Sequence, residues 1–400
     1  AYQGRINELQ RQDLRLSLAS LAANAAPAAT PRLDPEDFGR TFVVRAPLRL
    51  GISSANASDN HLRSKEQGAK TLNAGIALRP AGAADPGPPL EVTARRLGQP
   101  GLRLRSMSMD FQAELRLEPG GDAAADADRY FAYRRGGDEA LRLVKQALVH
   151  TGIVRDDSPD VVGDIAAFAG GGGLEVTTRS RVLQGSGLGT SSILAAAILK
   201  ALYRLCRHAY GTAEHEYPAL YDQSLLLEQS IGLNSGWQDA RGACGGPSAV
   251  KDFYAPPTDG LPAPARTFLT QVDPQAFTDR VVLFDTGIAR GATRGLNVVL
   301  DAYLSRDPAR FAAIRQSMEI HDAMVQSLAA GDYEALGEMA TRYWRLRCTL
   351  DPGATSPSLQ QLFESDRLVE VSTGGLITGA GGGGFALLVA RHGRGDQLRS

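Results

Sequence analysis

Hydrophobic and polar positions along this chain follow two periods, and the switches between them mark its elements. Residues 5–24, RINELQRQDLRLSLASLAAN, space apolar residues near the helical repeat and predict a helix before the loop AAPAATPRLDPEDFG. TFVVRAPLRLGIS (41–53) is rich in β-branched residues and reads as a strand, as do KTLNAGIALRP (70–80) and LEVTARRL (90–97). GDEALRLVKQALVHTGIV (137–154) steps its apolar residues by three and four and predicts a helix. GGLEVTTRSRV (172–182) alternates as a strand, and helices are expected over 191–210 and 217–232. DRVVLFDTG (279–287) reads as a strand, followed by helices at 295–304, 308–329 and 333–349. GGLITGAGGGGFALLVA (374–390) is a Gly-rich loop feeding an apolar strand. The Pro-rich YAPPTDGLPAPAR (254–266) marks a boundary between two halves. The expected division is a helical extension over 1–39, one domain over 40–252 and a second over 253–400. No internal repeat is visible.

Length and charge narrow the classes. At 400 residues and 43% hydrophobic, the chain is long enough for two cores. With 43 Lys+Arg against 44 Asp+Glu the formal net charge is −1, so no basic field argues for nucleic acid or an anionic membrane as the main partner. No apolar run approaches the roughly 20 residues that span a bilayer. The first residues are polar and do not read as a secretory signal. Three widely spaced cysteines, Cys206, Cys244 and Cys348, form no metal-like cluster and fit a reduced, cytoplasmic compartment.

The densest candidate chemistry is QGSGLGTSSI (184–193), three alternating glycines running into a helix. A helix N-terminus presents unpaired N–H groups and a partial positive charge. Glycines before it let the backbone approach an anion without Cβ clashes, which makes a phosphate cradle. A Gly-rich turn with a Ser/Thr cap fits the local pattern equally well. The loop is not a Walker A motif, since its Lys is absent, nor the dinucleotide fingerprint, whose glycine spacing differs.

GSGLGTSS is similar to the second motif of the GHMP small-molecule kinases. VRAPLRLGIS (44–53), with its Pro-x-Arg, resembles their first motif, and TGAGGGGFALLV (378–389) their third. Within that superfamily SGWQDARGACGG (235–246), LRSMSMDF, LLLEQ and DTGIARGATRGL resemble the L-fucose kinases and their heptose-kinase relatives. The resemblance covers about residues 40–390. It implies an α+β, two-domain fold: an N-terminal domain like S5 domain 2 and a ferredoxin-like C-terminal domain, with the site between them.

The resemblance also implies roles. ATP with Mg²⁺ would be the donor, its phosphates lying on Gly185, Ser186, Gly187, Leu188, Gly189, Thr190, Ser191 and Ser192. Ser191 and Glu228 would hold the Mg²⁺. Asp239 would accept the proton of the substrate hydroxyl or orient it, and Arg49 would stabilise charge on the transferring phosphoryl group. Asp59, Asn60, His61, Trp237, Gln238, Arg290, Gly381 and Gly382 would contact the sugar. Trp237 reads equally well as a core residue, and Ser191, Glu228, Arg49 and Arg290 each also have an ordinary structural reading. No histidine is assigned to catalysis.

The chain departs from the family after Pro-x-Arg. Paired glycines give way to Ser53, Ser54 and Ala55, in a segment that normally meets sugar hydroxyls. Arg63 and Lys65 could there meet a phosphorylated sugar, although charged loops are commonly just solvated. The expected function is an ATP-dependent sugar kinase acting on an anomeric hydroxyl of a monosaccharide such as L-fucose. The competing readings are a D-glycero-D-manno-heptose 7-phosphate kinase-like enzyme and a sugar or nucleotide sensor that kept the fold and lost turnover. The same fold also hosts a decarboxylase, which the Trp-Gln-Asp stretch disfavours.

Overall fold

Proline 47 divides the first predicted strand in two, because it has no N–H to give a ladder. β1 (Thr41–Ala46) and β2 (Leu48–Ser53) on either side of it join different sheets. The computed structural model describes residues 29–54, 61–78, 87–109, 111–136, 140–183, 185–206, 217–233, 235–243, 250–259, 264–288 and 292–400. The helix expected over 5–24 lies outside these.

Along the described chain, α1 (His61–Gln67) leads to β3 (Ala69–Ile76), β4 (Leu90–Leu97), β5 (Gly101–Met107) and β6 (Gln112–Leu117). Then come α2 (Ala123–Phe131), α3 (Arg142–His150), α4 (Val161–Phe168), β7 (Gly173–Ser180), α5 (Thr190–Leu205), α6 (Tyr217–Ser230) and α7 (Gln238–Ala243). β8 (Val250–Ala255), β9 (Arg266–Thr270), α8 (Pro274–Arg280), β10 (Val281–Asp285) and α9 (Ala292–Leu304) follow. The end holds α10 (Pro308–Ala330), α11 (Tyr333–Leu350), α12 (Pro357–Glu364), α13 (Asp366–Val371), β11 (Ser372–Ile377), β12 (Phe385–Ala390) and α14 (Gly395–Arg399). The content is α+β, as expected.

The strands make three sheets, ordered β1-β4-β7-β5-β6, β2-β3-β8-β9 and β10-β12-β11. Only the β5–β7 pair is parallel among the described ladders. Val92, Ala94, Leu104 and Val176 project from the first sheet onto Ala195, Ile198, Leu199 and Leu202 of α5, giving one core. α5 has apolar residues around most of its circumference because it is buried beneath this sheet.

The four-stranded sheet is covered on both faces. Leu48, Leu50, Ile52, Leu72 and Val250 face α10 and α11, where Ile320, Met324, Leu336 and Tyr343 complete a second core with Ile377, Leu387 and Val389 of β11 and β12. The opposite face, carrying Arg49 and Asn73, lies under α7. The Pro-rich stretch that reads as a boundary lies between β8 and β9, which pair with each other, Val250 with Thr270 and Tyr254 with Arg266. The expected division after residue 252 therefore falls inside β8. The strand expected over 279–287 is the shorter β10, preceded by α8, and the expected helix at 137–154 is represented by α3.

Candidate active site

The glycine loop sits where β2, α5, α7 and the β11–β12 loop converge. Gly185, Gly187 and Gly189 have φ of +74°, +76° and +72°, the left-handed region that favours glycine. Gly189 caps α5, so the N–H groups of Thr190, Ser191 and Ser192 open the helix with no intrahelical acceptors. A Cβ on Gly187 would stand 2.8 Å from Thr378 Oγ1 and 2.9 Å from the Thr378 carbonyl oxygen. One on Gly379 would stand 2.5 Å from Gly187 Cα. The Phe385 N–H donates to the Ser186 carbonyl at 3.2 Å, and Arg347 Nη1 donates to the Gly379 carbonyl at 2.6 Å. Two glycine loops, nearly 200 residues apart in sequence, thus touch backbone to backbone.

Not every residue of the loop is available to a ligand. Leu188 is buried in the second core, and its carbonyl accepts from the Arg49 N–H at 3.0 Å. Ser186 is buried too, its hydroxyl 3.3 Å from Thr190 Oγ1. Gly381 donates to the Thr378 carbonyl at 3.3 Å and Gly382 to the Ala354 carbonyl at 2.6 Å. It is Gly379 and Gly384, not these two, that lie against the first loop.

Asp239 stands beside that loop. It pairs with Arg49 through Oδ1 and Nη2. A Cβ on Gly189 would be 3.2 Å from Asp239 Cβ and 3.3 Å from Arg49 Nε. The sequence places Asp239 in a glycine-flanked loop, whereas it lies in the first turn of the short helix α7. Gly242, one turn on, leaves room for the Arg49 stem: a Cβ there would meet Arg49 Cγ at 2.6 Å and Asn73 Cβ at 3.0 Å. Lys251 Nζ donates to the Gly242 carbonyl at 2.8 Å, and Arg241 pairs with Asp222, so α7 is tied to β8 and α6. Arg49 Nε is buried with no hydrogen-bond partner among the described residues, a donor that an anion could satisfy.

Glu228 of α6 receives Ser191 Oγ–H at 2.7 Å on Oε1 and Ser192 Oγ–H at 2.5 Å on Oε2. Burial pushes its carboxyl above the ordinary 4.5. The serine hydroxyls oppose the rise, and the nearby negative charge of Asp239 adds to it. Two carboxylates within electrostatic reach, one serine hydroxyl exposed at the helix start, and oxygen donors only: this set suits a hard divalent cation such as Mg²⁺.

Trp237, one of the candidates for a sugar contact, is buried against Phe253 (ring centroids 6.0 Å apart) with Ala69, Leu225 and Ala255, which is the core alternative. Gln238 is buried at the start of α7. Asp59, Asn60 and Arg290 lie outside the described residues, and of His61 only its place at the start of α1 is described. Sequence reasoning missed Thr378, Asn73, Gly242 and Arg347. Of these only Thr378, directly before a glycine run, carried a local signal. A shallow surface depression of about 430 Å³, lined by Met107, Ser108, Met109, Gln112, Arg179, Ser180 and Arg181, lies at the strand end that leads into the glycine loop.

The GHMP kinases N terminal domain matches residues 159–246, a span holding the glycine loop, Glu228 and Asp239, and the GHMP kinases C terminal domain matches 324–400. Two stretches of the chain thus match the two GHMP kinase domain models, in that order. The fold agrees with those of solved GHMP kinases. L. major mevalonate kinase in complex with R-mevalonate superposes with a TM-score of 0.60 at 16% identity, covering 92% of each chain. Among curated proteins, the bifunctional fucokinase/GDP-fucose pyrophosphorylase of Arabidopsis thaliana is 33% identical over 257 residues, 64% of this chain. The L-fucokinase/L-fucose-1-P guanylyltransferase of Bacteroides fragilis is 28% identical over 225 residues, 55% of this chain. The matched region spans 22% of the length of each of these curated relatives. Among the described residues, no helix is long and apolar enough to cross a membrane.

Proposed function

We propose that this GHMP kinase-type chain is an ATP-dependent sugar kinase that phosphorylates the anomeric hydroxyl of a monosaccharide of the L-fucose type. The observation that carries this is the placement of the Arg49–Asp239 pair directly against Gly189, at the mouth of a glycine loop that opens a helix. Phosphoryl transfer demands positioning and charge neutralisation more than covalent help, and these residues supply both. The curated relatives, whose names include fucokinase, support the sugar.

In this reading the backbone N–H groups at the start of α5 grip the donor phosphates. Ser191 and Glu228 would hold Mg²⁺, which would neutralise phosphate charge. Asp239 accepts a hydrogen bond from the attacking hydroxyl and takes its proton as that oxygen bonds to the γ-phosphorus and the bond from the γ-phosphorus to the ADP oxygen breaks, ADP leaving. Arg49 orients that carboxylate and offers its remaining donors to the transferring group. Asp59, Asn60, His61, Gln238 and Arg290 remain candidates for the sugar contacts, and Trp237 supports the site from the core.

The test is ADP release with Mg²⁺ across a panel of free sugars and sugar phosphates, heptose 7-phosphate included. Turnover with L-fucose and a 1-phosphate product is expected. Activity confined to a heptose phosphate would transfer the assignment to that substrate. Thermal stabilisation by a sugar without any turnover would favour a sensor.

A further inference from the structure

Strand β2 is irregular just before its end. Regular alternation would put Ser53 on the same face as Arg49 and Gly51. The register shifts instead: Gly51 pairs with Asn73 of β3, and Ser53 with Leu72. Such a bulge re-aims the side chain that follows it. Ser53 thereby comes to lie beside Leu72, whose partner on the other side is Asp252 of β8. The three form a row on the face covered by α10. Strands lie about 4.8 Å apart, so Ser53 and Asp252 are about 10 Å apart along the row. One imidazole hydrogen-bonded at both nitrogens spans that gap.

His321 of α10 does so. Its Nδ1 is 2.6 Å from Ser53 Oγ and its Nε2 3.0 Å from Asp252 Oδ1. The carboxylate accepts, so Nε2 carries the hydrogen and Nδ1 accepts from the serine hydroxyl. The next backbone N–H, that of Ser54, donates to the Tyr343 hydroxyl of α11 at 2.7 Å. Ser53 and His321 are buried, which removes the nucleophile reading of a Ser-His-Asp chain: no substrate carbonyl can approach that serine. What remains is a mechanical link. Two helices from late in the chain grip the end of the strand that carries Arg49. The donor side has a further scaffold of its own: besides the Arg49 N–H bond to the Leu188 carbonyl, the glycine loop is held by the Thr378–Phe385 segment.

We propose that His321 is a positioning residue for the acceptor side of the site: through Ser53 and Asp252 it fixes the end of β2, and with it Arg49 and the Asp239 carboxylate that Arg49 holds. The proposal rests on the sugar-kinase reading above. His321→Ala is expected to raise the KM for L-fucose about tenfold while the KM for ATP stays within about twofold. Asparagine at 321 can reproduce the Nδ1 contact to Ser53, and glutamine the Nε2 contact to Asp252. His321→Asn should therefore restore the acceptor KM better than His321→Gln, an order that a merely structural role would not impose. These two variants also serve if the alanine variant does not fold. Independently of turnover, amide hydrogen exchange in His321→Ala should quicken more over residues 48–54 than over 185–192, which the Thr378–Phe385 segment also holds. An equal rise in both KM values, or unchanged exchange over 48–54, overturns the proposal. Wild-type protein that phosphorylates no sugar refutes the kinase reading, and the exchange result then decides the positioning role alone.

Discussion

Gly187→Ala puts one methyl group into the seam where the two glycine loops meet. Two terms set its effect. The backbone there has φ +76°, and a left-handed conformation costs an L-residue about 1–2 kcal/mol. The new Cβ would also lie 2.8 Å from Thr378 Oγ1 and 2.9 Å from the Thr378 carbonyl oxygen, closer than real Cβ contacts come. One of those atoms is backbone, so the loops must separate, and overpacking of this kind costs about 1–3 kcal/mol. Together the loss is about 2–5 kcal/mol. Gly232→Ala isolates the first term: φ is +79° and nothing lies within 4 Å of a Cβ. The difference between the two variants measures the seam. Equilibrium urea unfolding with a common slope gives the stabilities, and ADP release at saturating sugar gives the KM for ATP. Gly187→Ala should unfold at distinctly lower urea than Gly232→Ala and raise the ATP KM by about tenfold or more. Equal midpoints with an unchanged ATP KM would refute both the loop contact and the phosphate role built on it.

Other outcomes follow from single groups. Asp239→Asn should lower kcat by at least about a hundredfold with ATP binding retained by calorimetry; full activity would remove the carboxylate from its role. Glu228 has a folded-state pKa raised above 4.5, so the stability it contributes is present below that value and is lost as pH rises through the folded value. Thermal melts of Glu228→Gln should accordingly gain on wild type as pH rises from 4.5, and stabilisation of wild type by Mg²⁺ should grow over the same interval. Trp237→Ala should cost about 3–5 kcal/mol in unfolding free energy as a core truncation; a large loss of sugar affinity with unchanged stability would instead place the indole in the pocket.

The candidate site was partly legible because part of it is local. The alternating glycines of 185–189 and the hydroxyls behind them sit on one turn and one helix start, so ten residues suffice to show a glycine turn opening a helix. The stretch 41–53 read as one strand, and nothing local showed that Pro47 would split it into β1 and β2 pairing in different sheets. The Pro-rich 254–266 segment looked like a division, yet the strands on either side of it belong to one sheet, β8 pairing with both β9 and β3. The two readings of Trp237 could not be separated until Phe253 was seen beside it.

The order of the motifs, the glycine loops, the charged residues available for chemistry and the periodicity of most helices are properties of short stretches, and short-range sterics and hydrogen bonding make them readable in one dimension. Which side chains meet is set by packing and register. Asp239 reaches Arg49 because Gly242 lets α7 settle on β2, Thr378 reaches Gly187 because neither glycine loop has side chains in the way, and one displaced residue in β2 turns Ser53 toward His321. No local rule encodes those contacts, since each joins residues dozens to hundreds apart that only the buried cores bring into register.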